Sequence, residues 1–202
     1  MRVNFIEKYI EKQKKKSLWS WIGDILFAIL IIGLLIPSTR TPIMVFIKEV
    51  TMFSPSVSAD DNYGLLTKQD YLWQLKNENG IITKLSDYND KPIFINFWAT
   101  WCPPCIAEMP AIDNLQKEYA DRVAFLLVSY EDHAVTQKFL KGKGLNPHTF
   151  QALSKEPELL SSNSIPITFI IDKQGKIVVK KTGSSQWDSD SVKELLDTLI
   201  SD

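Results

Sequence analysis

Cysteine is scarce in this chain of 202 residues, which has two, at positions 102 and 105. A fold stapled by disulfides needs several bridges across longer loops, so this pair is not there to hold a scaffold together. Histidine is equally scarce: His133 and His148 are the only two, which leaves few ligands for a metal centre. Net positive charge is lacking too, the formal value being −1. Residues 1–16 hold six basic groups against Glu7 and Glu11. The rest of the chain is therefore mildly acidic and offers no basic face to nucleic acid. Internal repeats and low-complexity tracts are also missing. What remains, 45% hydrophobic and 23% charged, is the composition of a folded domain.

One long apolar run stands out. From Leu18 to Ile36, 15 of 19 residues are apolar. As a helix this run reaches about 28 Å, close to the hydrocarbon thickness of a bilayer. Trp19 and Trp21 suit the interface at the entering end, and Asp24 lies within two turns of it. The Lys12–Lys16 cluster predicts a cytoplasmic N-terminus and an extracytoplasmic remainder, periplasmic in a cell with two membranes. A cleaved signal peptide is the alternative, but Leu35-Ile36-Pro37-Ser38 supplies no small-residue cleavage site where one belongs. The expected organisation is a basic tail over 1–17, a transmembrane anchor over 18–36, a connector over 37–60 and a domain over 61–202. In the connector, Ile43, Phe46, Ile47 and Val50 recur at the spacing of one helix face. That face suits either the membrane interface or packing onto the domain.

Beyond residue 61 strand and helix patterns alternate. Tyr71–Lys76 and Gly80–Thr83 flank Asn77-Glu78-Asn79-Gly80, a hairpin signal. Ile93–Ala99 and Val123–Ser129 read as strands buried on both faces. Helices are expected over 103–120, over Ala134–Lys141 and over Val192–Ile200. Ile167–Ile171 and Lys176–Lys181 read as an antiparallel pair joined through Lys173-Gln174-Gly175. The pattern is that of a mixed α/β domain.

Cys102-Pro103-Pro104-Cys105 falls where a buried strand meets a helix. Proline is tolerated in the first helical turn. A cysteine at a helix N-terminus has its thiolate stabilised by unpaired N–H groups and by the helix dipole. That makes Cys102 the expected attacking and more exposed sulfur, and Cys105 the one that resolves a mixed disulfide. Zinc would need both histidines as well, although they stand fifteen apart around a predicted helix. A c-type haem site is excluded by Ile106 where histidine is required. Cu(I) binding by the two thiolates stays open.

Phe97-Trp98-Ala99-Thr100-Trp101-Cys102-Pro103-Pro104-Cys105 resembles the active-site signature of thioredoxin-like proteins, and more narrowly that of the membrane-anchored TlpA/ResA branch. Leu85-Ser86-Asp87-Tyr88 with Lys91-Pro92 is similar to that branch's lead-in to the catalytic strand, and Ile165–Asp172 to its cis-proline segment. The resemblance covers roughly residues 65–200. It implies a thioredoxin-like fold, with a central mixed sheet flanked by helices and an N-terminal β-hairpin addition, preceded by one transmembrane helix. It also implies a cis Ile165–Pro166 bond opposite the redox pair, with Trp101, Pro103, Pro104, Ile165 and Pro166 facing substrate. Thioredoxin itself has a buried acid six residues before the first cysteine; Asn96 stands there instead and cannot take a proton. The TlpA/ResA branch often places a glutamate three residues after the second cysteine, and Glu108 occupies that position. One helical turn from Cys105, it is able to shift the thiol pKa or accept its proton, unless it is an ordinary solvated glutamate. The implied activity is exchange with protein disulfides in the reductive direction, in cytochrome c maturation for example, fed by a membrane thiol-electron transporter. The redox disulfide is the only redox group it calls for, with no separate cofactor and no metal. A disulfide-forming oxidase and a Cu(I)-handling module are the alternatives.

Overall fold

The computed structural model describes residues 18–35, 45 and 63–202. Backbone proximity divides the chain into two units, Met1–Met44 and Val45–Asp202. The expected basic tail and nearly all of the expected connector lie outside the described residues. In the first unit, helix α1 runs Leu18–Leu35, and Ile25, Leu26, Phe27 and Ile29 on it are exposed. Among the described residues no helix is long and apolar enough to cross a membrane. This one, at 18 residues, reaches about 27 Å against roughly 30 Å of hydrocarbon.

The second unit is built on one seven-stranded sheet in the order β2-β1-β5-β4-β3-β6-β7. Its strands are β1 (Gln74–Asn77), β2 (Ile82–Lys84), β3 (Ile93–Phe97), β4 (Ala124–Ser129), β5 (Thr149–Ala152), β6 (Ile167–Ile171) and β7 (Ile177–Thr182). At its centre β3 pairs parallel to β4 and antiparallel to β6. Every residue of β3 and β4 is buried, which is why both read as continuous apolar runs. Successive side chains alternate between faces. Phe94 joins the core beneath α2 (Pro103–Tyr119) and α4 (Asp190–Ser201), with Met109, Ile112, Trp187 and Leu196. Ile93, Ile95 and Phe97 join the opposite core, with Leu75, Leu85, Leu126 and Phe169.

Three expectations need correction. Strand β1 starts at Gln74 rather than Tyr71, because Asp70 accepts from Thr67 N at 2.7 Å and sets Asp70–Leu72 into a 3-10 turn. Strand β2 is Ile82–Lys84 rather than Gly80–Thr83, since Asn77 Oδ1 accepts from Asn79 N and Ile81 N and absorbs those residues into the turn. Strand β5 was not expected at all. The remaining helix, α3 (His133–Gly142), is capped by Asp132, whose carboxylate accepts from Ala134 N at 2.8 Å.

The turn joining β6 to β7 depends on Gly175. Its φ is +87°, and an added Cβ would lie 2.8 Å from the Tyr71 hydroxyl. Gly175→Ala should therefore destabilise the domain by about 1–3 kcal/mol. Chemical denaturation measures this, and an unchanged midpoint would show that the turn relaxes at no cost.

Candidate active site

Helix α2 begins immediately after Cys102, and the buried strand β3 ends five residues before it. Cys102 and Cys105 form a disulfide with Cα atoms 5.3 Å apart. Cys102 is the N-cap of α2, and its Sγ accepts from Cys105 N at 3.3 Å. Prolines fill the first two positions of the helix. They suit the fixed φ of a helix start, but they bring no N–H to the sulfur. The expected ranking of exposure holds narrowly, Cys102 being 4% exposed and Cys105 fully buried.

Ile165–Pro166 is cis, as the resemblance implied. The Ile165 carbonyl oxygen lies 3.9 Å from Cys102 Sγ, so strand β6 begins against the redox pair. Trp101 is 70% exposed beside it and free to meet a partner surface. Pro103 and Pro104 are half-buried, whereas Pro166 is buried. Trp98 lies in the core.

Glu108 is not a solvated helix glutamate: it is fully buried. Asn96 Nδ2 donates to its Oε1 at 2.8 Å. Ser185 N and Trp187 Nε1 donate to its Oε2 at 3.0 and 2.8 Å. Burial pushes its pKa up to about 7, against the hydrogen bonds from Trp187, Asn96 and Ser185 that favour the ionised form. The position of the acid missing from β3 is thus tied directly to an acid on α2. Asn96 also donates to Thr168 Oγ1 at 2.8 Å, linking Glu108 to the strand that follows Pro166. Its Oδ1 is buried without a hydrogen-bond partner. No hydrogen bond joins Glu108 to either sulfur among the described residues; it sits one helical turn along from Cys105.

Sequence spacing gave no sign of several groups that shape this site. Glu131 takes hydrogen bonds from Thr100 N at 2.6 Å and Thr100 Oγ1 at 2.7 Å, clamping the segment that leads into Cys102. Trp187, Ser185 and Thr168 come from distant parts of the chain. The histidines do not join the site. His148 Nδ1 lies 2.7 Å from Glu78 Oε1, and both ring nitrogens of His133 are buried without partners. Among the described residues no group of three or more His, Cys, Asp or Glu side chains is gathered for a metal.

A helix-capping cysteine, a second cysteine one turn on, a buried acid and a cis-proline edge together make a centre for dithiol–disulfide exchange. The Redoxin family model matches residues 51–199, most of the chain. The chain belongs to the Redoxin family. It is 35% identical over 109 residues to the thioredoxin-like protein YneN of Bacillus subtilis, covering 52% of this chain and 64% of that one. It is 34% identical over 122 residues to the thiol-disulfide oxidoreductase ResA of Geobacillus thermodenitrificans, covering 57% of this chain and 67% of the relative. The chain thus spans slightly less than two thirds of YneN. A thiol-disulfide isomerase from Corynebacterium glutamicum shares the fold at a TM-score of 0.53 and 18% identity, over 71% of this chain and 99% of that one. These likenesses place this Redoxin chain among TlpA/ResA-like thioredoxin-fold proteins.

Proposed function

We propose that this Redoxin chain is a thiol-disulfide oxidoreductase that reduces protein disulfides on the outer side of a cytoplasmic membrane. The Cys102 thiolate attacks one sulfur of a client disulfide, forming a mixed disulfide and releasing the other client sulfur as a thiolate that takes up a proton. Cys105 then loses its proton and attacks Cys102 Sγ, releasing the second client thiol. Two electrons pass to the client, and Cys102–Cys105 is left oxidised.

The observation that carries the reductive direction is the first turn of α2. Because Pro104 at the second helical position lacks an N–H, Cys105 N is the one backbone donor that reaches Cys102 Sγ in the described hydrogen bonds. A weakly stabilised thiolate makes the dithiol form less favourable, and hence a stronger reductant. The buried Glu108 carboxyl, one turn on, adds no positive charge that would reverse this. Its pKa near 7 suits a group that takes the Cys105 proton during the second step.

Regenerating the dithiol outside the cytoplasm needs electrons from across the membrane, which points to a membrane thiol-electron transporter as partner. Apocytochrome c cysteines awaiting haem are one class of client. Anchorage over residues 18–36 is supported by the basic cluster before that segment, by the apolar run of the sequence itself and by the exposed apolar side chains of α1. It would hold the domain near donor and client, raising their effective concentration. Alkaline carbonate extraction tests it: the full chain should stay in the membrane pellet, and release into the supernatant would remove the anchor.

The direction is tested by acid-quenching cells and alkylating free thiols. Cys102 and Cys105 should be found mostly reduced at steady state. A mostly oxidised pair would make the protein a disulfide donor.

A further inference from the structure

A cavity of about 250 Å³ opens beside the redox pair, on the sheet face opposite Glu108. Phe97, Val128, Leu160 and Ile167 make its floor and walls apolar. Trp101 and Ile165 form the side nearest the disulfide, and Ile165 is the residue whose carbonyl oxygen approaches Cys102 Sγ. The charged part of the lining is of one sign. Glu131 and Glu156 both line it, and among the described residues no lysine, arginine or histidine does.

Both carboxylates are fixed in place. Glu131 is held by its two bonds to Thr100. Glu156 accepts from the Tyr130 hydroxyl. Burial pushes the Glu156 pKa up, but the hydrogen bonds from Tyr130 and Ser161, with the nearby Lys155 charge, outweigh it and hold the group below its usual value. Lys155 is exposed and does not line the cavity. Two exposed aromatic rings, Trp101 at 70% and Tyr130 at 56%, also line the cavity.

We infer that this cavity receives an arginine of the client chain, one or two residues from the client cysteine that Cys102 attacks. The inference rests on the reductase reading above and names the client class. An arginine satisfies all three components at once. Its methylene stem packs against the apolar walls, its guanidinium stacks on the aromatic faces, and its planar donors pair with fixed carboxylates. An apolar side chain would leave both carboxylates without a counter-charge, and an acidic one would be repelled. An extended client segment advances about 3.3 Å per residue, so a side chain next to the target cysteine falls within reach of a cavity that begins at Trp101 and Ile165.

The test uses the reduced full chain in detergent and peptides with one internal disulfide. They differ only at the residue one or two places before or after the first cysteine, which is arginine, citrulline or glutamate. Citrulline keeps the shape of arginine and removes its charge. The arginine peptide should be preferred over citrulline about five- to tenfold in kcat/KM at one of these positions, mostly through KM, as expected for one charge-assisted contact. Glutamate should fall below citrulline. In Glu156→Gln the arginine-to-citrulline ratio should move toward one, and in wild type it should shrink as salt is raised. Glu156 is chosen over Glu131 because Glu131 also holds Thr100. Equal reduction of arginine and citrulline peptides at every position would overturn the pocket alone. An arginine preference that Glu156→Gln leaves intact would overturn it as well. Failure to reduce any peptide would overturn the reductase reading and the pocket with it.

Discussion

Cys105→Ser, mixed in its reduced form with a disulfide-bearing client, is expected to accumulate a covalent complex and to release almost no reduced product. Cys102 can still attack, because the features that activate it are retained: it still caps α2, and the residue 105 N–H that reaches its Sγ belongs to the backbone. The second step has no nucleophile, since a serine hydroxyl cannot displace the client sulfur. Release then depends on outside thiol, and turnover should fall by at least about 100-fold, with the mixed disulfide visible on a non-reducing gel and dissolved by dithiothreitol. Cys102→Ser should form no such complex, because Cys105 is fully buried. A complex formed by Cys102→Ser and not by Cys105→Ser would exchange the roles of the two sulfurs.

Glu108→Gln should have two effects with a common cause. In the native state Glu108 ionises near pH 7, whereas in the unfolded chain it ionises at its ordinary value near 4.5. Between these values the native state holds a proton that the unfolded state has released. Stability from this group is therefore full below about pH 4.5, declines as pH rises, and is lost above about pH 7, by about 3 kcal/mol in all. Glutamine removes that window. Its amide oxygen can take the bonds from Trp187 and Ser185, and Asn96 can turn its now unpartnered oxygen toward the new NH₂. The variant should gain stability relative to wild type as pH rises from 5 to 7.5, and a constant difference would contradict the raised pKa. The second effect is kinetic. Decay of the mixed disulfide should speed up with a midpoint near pH 7 in wild type, lose that midpoint in Glu108→Gln, and slow by about 100-fold, the lower range for loss of a general base.

Much of this protein was legible in its sequence where local rules decide. The buried strands β3, β4 and β6, the capped helix α2 and the redox pair all follow from apolar runs and turn residues. Strand β5 was missed because Thr149–Ala152 is only four residues with Phe150 as its one large apolar side chain, too short a run to stand out, and its form comes from pairing between β4 and β1. The beginning of β1 was lost to a side-chain turn at Thr67–Asp70 that competes with extended backbone. Within the site, spacing placed Glu108 one turn beyond Cys105 but could not bury it. Its burial needs Asn96, Ser185 and Trp187, the last two more than seventy residues away. The acidic cavity was invisible for the same reason. Glu131 and Glu156 come from two separate loops and meet only once the sheet has formed.

The most direct test of the reductive reading is the equilibrium redox potential of Cys102–Cys105 in the full chain, titrated against dithiothreitol and glutathione couples at pH 7. With proline at the second helical position, where a backbone N–H would otherwise be able to reach Cys102 Sγ, a value near or below about −250 mV is expected, in the range of reducing thioredoxins. A value of about −120 to −150 mV would mean that the thiolate is strongly stabilised after all, and that the protein donates disulfides rather than removing them.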